Sequence, residues 1–162
     1  MAQFVTAQQV IDNAFTNTKT DTNLIKTTQI EQTQLNHIKP ILTEDLYDLI
    51  VTENNASSLS AVNQTIFDTY IVPAMYWFTK YDVLLDATVK SNSKGVTRAF
   101  GDFASSGDNS DLSFVMQQAL EKGIRIMENM TDYIVDNNTD YPTYDSDKNP
   151  LNDTTIRNGI IL

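Results

Sequence analysis

The sequence predicts an all-α protein: a compact helical bundle of four to five helices with a long loop or hairpin (about 91–109) and an extended C-terminal tail. Three observations predict it. Apolar residues recur at three- and four-residue steps from Ser58 to Lys90 and again from Leu112 to Ile134, which is the helical period. Residues suited to helix N-termini stand at Thr6, Thr43 and Ser110. Three of the five glycines, Gly95, Gly101 and Gly107, fall in one non-periodic stretch between the two long helical patterns. Residues 1–137 are expected as one helical domain and residues 138–162 as the tail.

Thr6-Ala7-Gln8-Gln9 is a capping box, with Val5 and Val10 as a hydrophobic staple across it. The short helix that follows carries Val10, Ile11, Ala14 and Phe15 and gives way to the polar run Thr16 to Asp21. A second helix is expected from about Asn23 to Lys39, with Leu24, Ile25, Ile30, Leu35 and Ile38 as its sparse apolar positions and Pro40 closing it. His37, the lone histidine, has no Cys, His or acidic residue at ligand spacing and is expected to be a surface or internally satisfied side chain. Thr43 caps a third helix whose first turn, Glu44 and Asp45, suits the positive end of the helix dipole. Leu46, Tyr47, Leu49 and Ile50 give it one short apolar face, with Leu42 stapled onto Tyr47, and Glu53 to Ser58 is polar loop.

The central helix, Ser58 to Lys90, is apolar on two faces. One carries Leu59, Val62, Ile66, Tyr70, Pro73, Trp77, Tyr81 and Leu84, the other Phe67, Ile71, Ala74, Met75 and Phe78. Such a helix is buried from both sides, which places Trp77, the only tryptophan, in the core. Pro73 lacks an N–H and presses on the carbonyl of Thr69, so a kink is expected, or two helices meeting at Val72–Pro73. Lys90, Lys94 and Arg98 form a local basic cluster at and within the loop, with Lys94 and Arg98 as candidate contacts to a neighbouring subunit. The last helix starts at the Ser110 cap and runs to about Asp136. Its interior Gly123, at a cost of about 1 kcal/mol relative to Ala, points to a close helix–helix approach. Beyond it, Pro142 and Pro150 forbid a continuous helix. The apolar end, Ile156, Ile160, Ile161 and Leu162, calls for burial on this chain or another, with Arg157 placed to anchor an acidic group.

The 162 residues suffice for one domain with a real core. A net charge of −10 argues against direct binding of nucleic acid or of anionic membranes. The absence of cysteine excludes disulfides and thiolate metal sites. No charged n-region with an apolar core follows Met1, so no signal peptide is expected. Asp145-Ser146-Asp147-Lys148-Asn149 matches the first half of a calcium loop, but Pro150 stands where Gly is needed and Ile156 where a bidentate Glu is needed. No phosphate loop, nucleophile elbow or His-x-x-x-His pair occurs, so the expectation is a protein without catalysis, cofactor or metal. With 20 Thr and 15 Asn, both mediocre helix formers, the helices must be stabilised mainly by packing or by partner subunits.

Ile38-Lys39-Pro40-Ile41-Leu42-Thr43-Glu44-Asp45-Leu46-Tyr47 resembles the helix–proline–helix signature of the small head–tail connector (adaptor) proteins of tailed bacteriophages, which often have Gly at the position of Thr43. Tyr70-Ile71-Val72-Pro73-Ala74-Met75 and Ser93-Lys94-Gly95-Val96 match further parts in the same order, so the resemblance spans about residues 3–137. The Asn- and Thr-rich composition is similar to that of ring proteins of crAss-like gut phages. The resemblance implies a structural virion protein of the neck, made in the host cytoplasm. Its copies form a ring, typically of roughly twelve, below the portal. The ring joins head to tail and extends a channel in which DNA is only passing cargo. Its partners are then itself, the portal protein and other tail or neck proteins, with no membrane. Ile156, Arg157, Ile160, Ile161 and Leu162 are its candidate portal contacts, since such C-terminal segments commonly dock there. A helical protein-binding or regulatory module without catalytic activity is the alternative.

Overall fold

The capping box at the start of the chain forms as the sequence predicts: the Thr6 hydroxyl accepts from the Gln9 N–H at 3.2 Å and the Gln9 side-chain oxygen accepts from the Thr6 N–H at 2.8 Å. The computed structural model describes residues 3–16, 20–88, 90–92, 95–97 and 109–152. Among them are seven α-helices: α1 (Ala7–Ala14), α2 (Thr27–Thr33), α3 (Lys39–Leu42), α4 (Glu44–Asn55), α5 (Ala61–Ile66), α6 (Val72–Thr88) and α7 (Asn109–Asp136). A π turn, Gln34–Ile38, joins α2 to α3, and a second, Phe67–Ile71, joins α5 to α6. Each therefore merges its neighbours into one longer helix. The result is the expected all-α bundle, with a hairpin in the first part of the glycine-bearing stretch. There β1 (Lys90–Asn92) pairs antiparallel with β2 (Gly95–Thr97), Ser91 opposite Val96.

The π turns correct two expectations. Pro40 does not close the second helix, which runs on to Leu42. Of the two outcomes expected at Pro73, a division into two helices is not what forms: the central helix is continuous from Ala61 to Thr88 through the π turn. In both cases the residue before the proline donates its N–H to the carbonyl five residues back, Lys39 to Gln34 and Val72 to Phe67. The widened turn draws aside the carbonyl that the proline ring would strike. It also inserts one residue, so the buried stripe steps from Ile66 to Ile71 and continues through Ala74, Met75 and Phe78. Tyr70, Trp77 and Tyr81 are rotated to the flank and are only partly buried. Trp77 is therefore not a core residue; Phe78, beside it, is.

α6 packs along α7 and against α1 and α2. The rings of Tyr70 and Tyr133 lie 5.8 Å apart. Farther along, Phe78 meets Gly123, so α6 and α7 run antiparallel. A Cβ on Gly123 would lie 2.5 Å from the Phe78 ring, which is the close approach its presence in a helix predicts. One core gathers Val10 and Ile11 from α1, Ile30 from α2, Leu42, Leu46 and Ile50 from α3 and α4, and Met127, Met130 and Ile134 from α7. Gln34 is fully buried within it and is satisfied there: its oxygen accepts from the Phe4 N–H at 3.2 Å and its amide donates to the Tyr47 hydroxyl at 3.0 Å.

Smaller corrections arise from local chemistry. The second helix starts at Thr27; before it Asp21 caps a 3₁₀ turn, Thr22–Leu24, through the Asn23 N–H. Ser110 lies inside the first turn of α7 and is not its cap. Leu49 faces outward from α4. Thr43 occupies the N-cap position of α4, but its side chain caps nothing. Its backbone is at φ 64°, ψ 163°, a region nearly confined to glycine, and its hydroxyl is buried with no partner among the described atoms.

The expected boundary at 137 is also moved. No α-helix follows Asp136 among the described residues, but residues 138–152 fold back onto the bundle. Tyr141 is buried, and its hydroxyl donates to the Val62 carbonyl at 3.0 Å. Asn149, equally buried, donates to the hydroxyls of Tyr144 at 2.6 Å and Thr131 at 3.1 Å. The prolines stop a helix there without stopping packing, because each tyrosine buries its ring and finds a polar partner for its hydroxyl.

Candidate interaction surface

A polar constellation lies between α2, its π turn and α6. Asp82 on α6 accepts from the Thr33 hydroxyl at 2.6 Å with one carboxylate oxygen and meets His37 Nε2 at 3.2 Å with the other. The His37 ring stacks on Phe78, with centroids 4.5 Å apart and planes within 8°. One turn on, Gln29 donates to Asp86 at 2.6 Å. These bonds clamp two helices through side chains from both. His37 is the satisfied histidine expected from sequence, but its partner is Asp82, 45 residues away, which no spacing rule could supply.

Among the described residues no three His, Asp or Glu side chains gather as a metal site, and no helix is long and apolar enough to cross a membrane. The half-match to a calcium loop forms a 3₁₀ turn, Ser146–Lys148: Asp145 caps the Asp147 N–H and pairs with Lys148 at 2.9 Å. That lysine holds the Asp145 carboxyl below its ordinary pKa. Of the partner-binding residues expected from sequence, Lys94, Arg98, Ile156, Arg157, Ile160, Ile161 and Leu162 all lie outside the described residues.

Two surface features stand out. At the end of the α6–α7 pair nearest the hairpin, Leu85, Phe114 and Val115 are exposed, Phe114 to 60 %. The second feature is built on Trp77. The Lys122 ammonium, from α7, lies 4.0 Å from the Trp77 ring centroid, and Lys80, one turn along α6, lies 5.4 Å from it and 5.3 Å from Phe15. Lys80 also donates to the Ala14 carbonyl at the C-terminal end of α1, at 2.8 Å, where the helix dipole favours a cation. Burial, and then the neighbouring Lys122, push the Lys80 pKa down. Neither lysine has a carboxylate partner among the described residues. The spacing of Trp77 and Lys80 on one helix face was readable from sequence; Lys122 joins them only through the α6–α7 pairing.

A family model, described as a family of unknown function (DUF6712), matches residues 38–154, well over half of the chain. The chain belongs to the DUF6712 family. No curated protein and no solved structure matches it. The part matched to DUF6712 begins at the end of the first π turn and takes in α3 to α7 and the folded-back segment. α1 and α2 precede it, although Val10, Ile11 and Ile30 belong to the same core. Within the DUF6712 match, the Trp77–Lys80–Lys122 cluster draws its tryptophan and both lysines from α6 and α7, and only the Ala14–Phe15 wall comes from outside it.

Proposed function

We propose that the protein is a structural subunit of a tailed-phage neck, a head–tail connector whose copies form a ring below the portal and extend the DNA channel. The observation that carries the reading is the ordered set of three stretches, Ile38–Tyr47, Tyr70–Met75 and Ser93–Val96. Each falls on a special feature of the backbone where it is described. The first spans the end of a π turn, Pro40 and the strained Thr43; its φ of 64° is one that the glycine often found there in connectors adopts freely. The second takes in the end of the other π turn, Tyr70 and Ile71, and Pro73. The third ends in β2 of the hairpin. A compact helical body with a net charge of −10 suits a channel wall along which DNA slides without sticking.

The test is assembly with portal protein. The isolated chain is expected as a monomer or small oligomer by light scattering, and as rings seated on the portal by electron microscopy once portal is added. Deleting residues 153–162 should abolish attachment and leave the melting temperature of the free chain unchanged. A tight dimer indifferent to portal, or full attachment by the deleted chain, refutes the respective part of the reading.

A further inference from the structure

We propose that the Trp77–Lys80–Lys122 cluster is a docking site for a second copy of this chain, and that it receives the acidic outer face of that copy's α4. The inference rests on the ring reading only in requiring that copies meet.

Charge complementarity chooses the occupant. In a chain with 21 acidic and 11 basic residues, two lysines without a carboxylate partner bracket one partly exposed tryptophan. On α4, Asp45, Asp48 and Leu49 are exposed, at the three- and four-residue steps that put them on one face. Leu49 is 39 % exposed. The Asp45 and Asp48 carboxylates make no direct ion pair among the described residues, although Lys148 lies within electrostatic reach of Asp45 and Lys39 within reach of Asp48; Glu44, on the same turn, is paired directly with Lys39 at 3.1 Å. Two cations around an aromatic ring thus answer two carboxylates, neither in a direct ion pair, beside a leucine. The donor and acceptor faces do not meet within one molecule: α4 packs beside α3, while the cluster is walled by α1, α6 and α7. A contact between unlike patches of identical chains is heterologous, the kind that closes into rings or runs on as filaments. Lys80, already depressed in pKa by burial, gains most from a carboxylate brought over it, because a desolvated cation is strengthened by an opposite charge.

The experiment is a charge swap on the full chain, read by sedimentation velocity over a concentration series and by the emission of Trp77, the only tryptophan. Lys122→Glu alone and Asp48→Lys alone should each weaken self-association about tenfold or more, and the double variant should recover most of that loss. Association of the natural chain should shift Trp77 emission to the blue and weaken with salt; the single variants should lose the shift at the same concentration. Both positions are exposed, so both monomers should stay folded: Asp48→Lys should leave the melting temperature nearly unmoved, and Lys122→Glu should shift it only by what the lost cation–π contact with Trp77 is worth. Single variants that associate like the natural chain, or a double variant that stays as weak as the singles, overturn the proposal. If the natural chain and Lys122→Glu both form rings on the portal equally well, the docking site falls and the connector reading stands. If the natural chain self-associates at neither high concentration nor on the portal, both fall.

Discussion

Before Pro40 and before Pro73 the chain makes the same turn. Lys39 and Val72, the residues preceding the prolines, each bond to the carbonyl five back. Beyond the prolines the two paths are opposite. After Pro40 the helix ends two residues later at Leu42, and the chain reverses through the strained Thr43 into α4. After Pro73 it continues for fifteen residues to Thr88. The same local remedy therefore permits either outcome, and tertiary packing selects between them. Beyond Pro73, Ala74, Met75 and Phe78 are buried in the core, with Phe78 against Gly123 of α7. Beyond Pro40, Ile41 and Leu42 reach the core at once, and α4 must turn back to bring Leu46 and Tyr47 to the same place.

The largest expected effect tests the rotation that the second π turn imposes. Phe78→Ala should destabilise by about 3–5 kcal/mol, the usual cost of deleting a large buried aromatic. It would also unstack His37 and empty the site against Gly123. Trp77→Ala should cost less than half as much, because its ring is partly exposed and what it loses is mainly contact with the stems and charges of Lys80 and Lys122. Denaturant unfolding of the two variants gives the ratio. Equal losses would mean that the stripe does not shift at Ile71.

That shift also explains how far the sequence could be read. The helical period, the capping box at Thr6, the close approach at Gly123 and the hairpin region were all legible, because each is a local pattern with a local cause. The two apolar faces of the central segment were legible as well, but not which of them is buried. A strict 3.6-residue period carries Ile66 on to Tyr70 and Trp77, whereas one inserted residue carries it on to Ile71 and Phe78. A proline announces that a carbonyl must move and does not announce how. The candidate surface was half visible for a similar reason: Trp77 and Lys80 share a helix, but Lys122 and the Ala14 carbonyl arrive by tertiary packing. The folded-back segment was missed because Pro142 and Pro150 exclude a helix, and its anchors Tyr141 and Asn149 carry no periodicity.

An intermediate effect sharpens the other arm. Thr43→Gly should stabilise by about 1 kcal/mol. It relieves a backbone strain on the order of 1–3 kcal/mol and removes an unpaired buried hydroxyl, against the greater freedom glycine gives the unfolded chain and the loss of a buried methyl. Thr43→Ala is the control: it removes the hydroxyl but keeps the Cβ that makes φ 64° costly, so it should recover only the smaller share. If alanine stabilises as much as glycine, the unpaired hydroxyl and not the backbone is the strained element.

The smallest effect distinguishes what holds the π turns, the prolines or the core. Pro73→Ala restores a donor and removes the clash with the Thr69 carbonyl. In an ordinary helix interior that exchange is worth up to about 3 kcal/mol. The π turn has already drawn the carbonyl aside, so most of that gain is absent, and the freer unfolded chain takes back about 0.4–1 kcal/mol. A net stabilisation of about 0.5 kcal/mol is expected. Pro40→Ala should be neutral: Pro40 is exposed, and only Ile41 and Leu42 come after it before the helix ends. Neither change should release its π turn. Relaxing Phe67–Ile71 to an α-helical turn would rotate Ala74, Met75 and Phe78 by about 100° out of their buried positions and forfeit several buried side chains. Trp77 reports on this directly, since the same rotation would change its distance from Lys122, now 4.0 Å from the ring centroid. Unchanged Trp77 emission in Pro73→Ala, with a slightly raised unfolding midpoint, assigns the turn to the core. A changed emission with a lowered midpoint assigns it to the proline, and tertiary selection between the two helix outcomes would then be wrong.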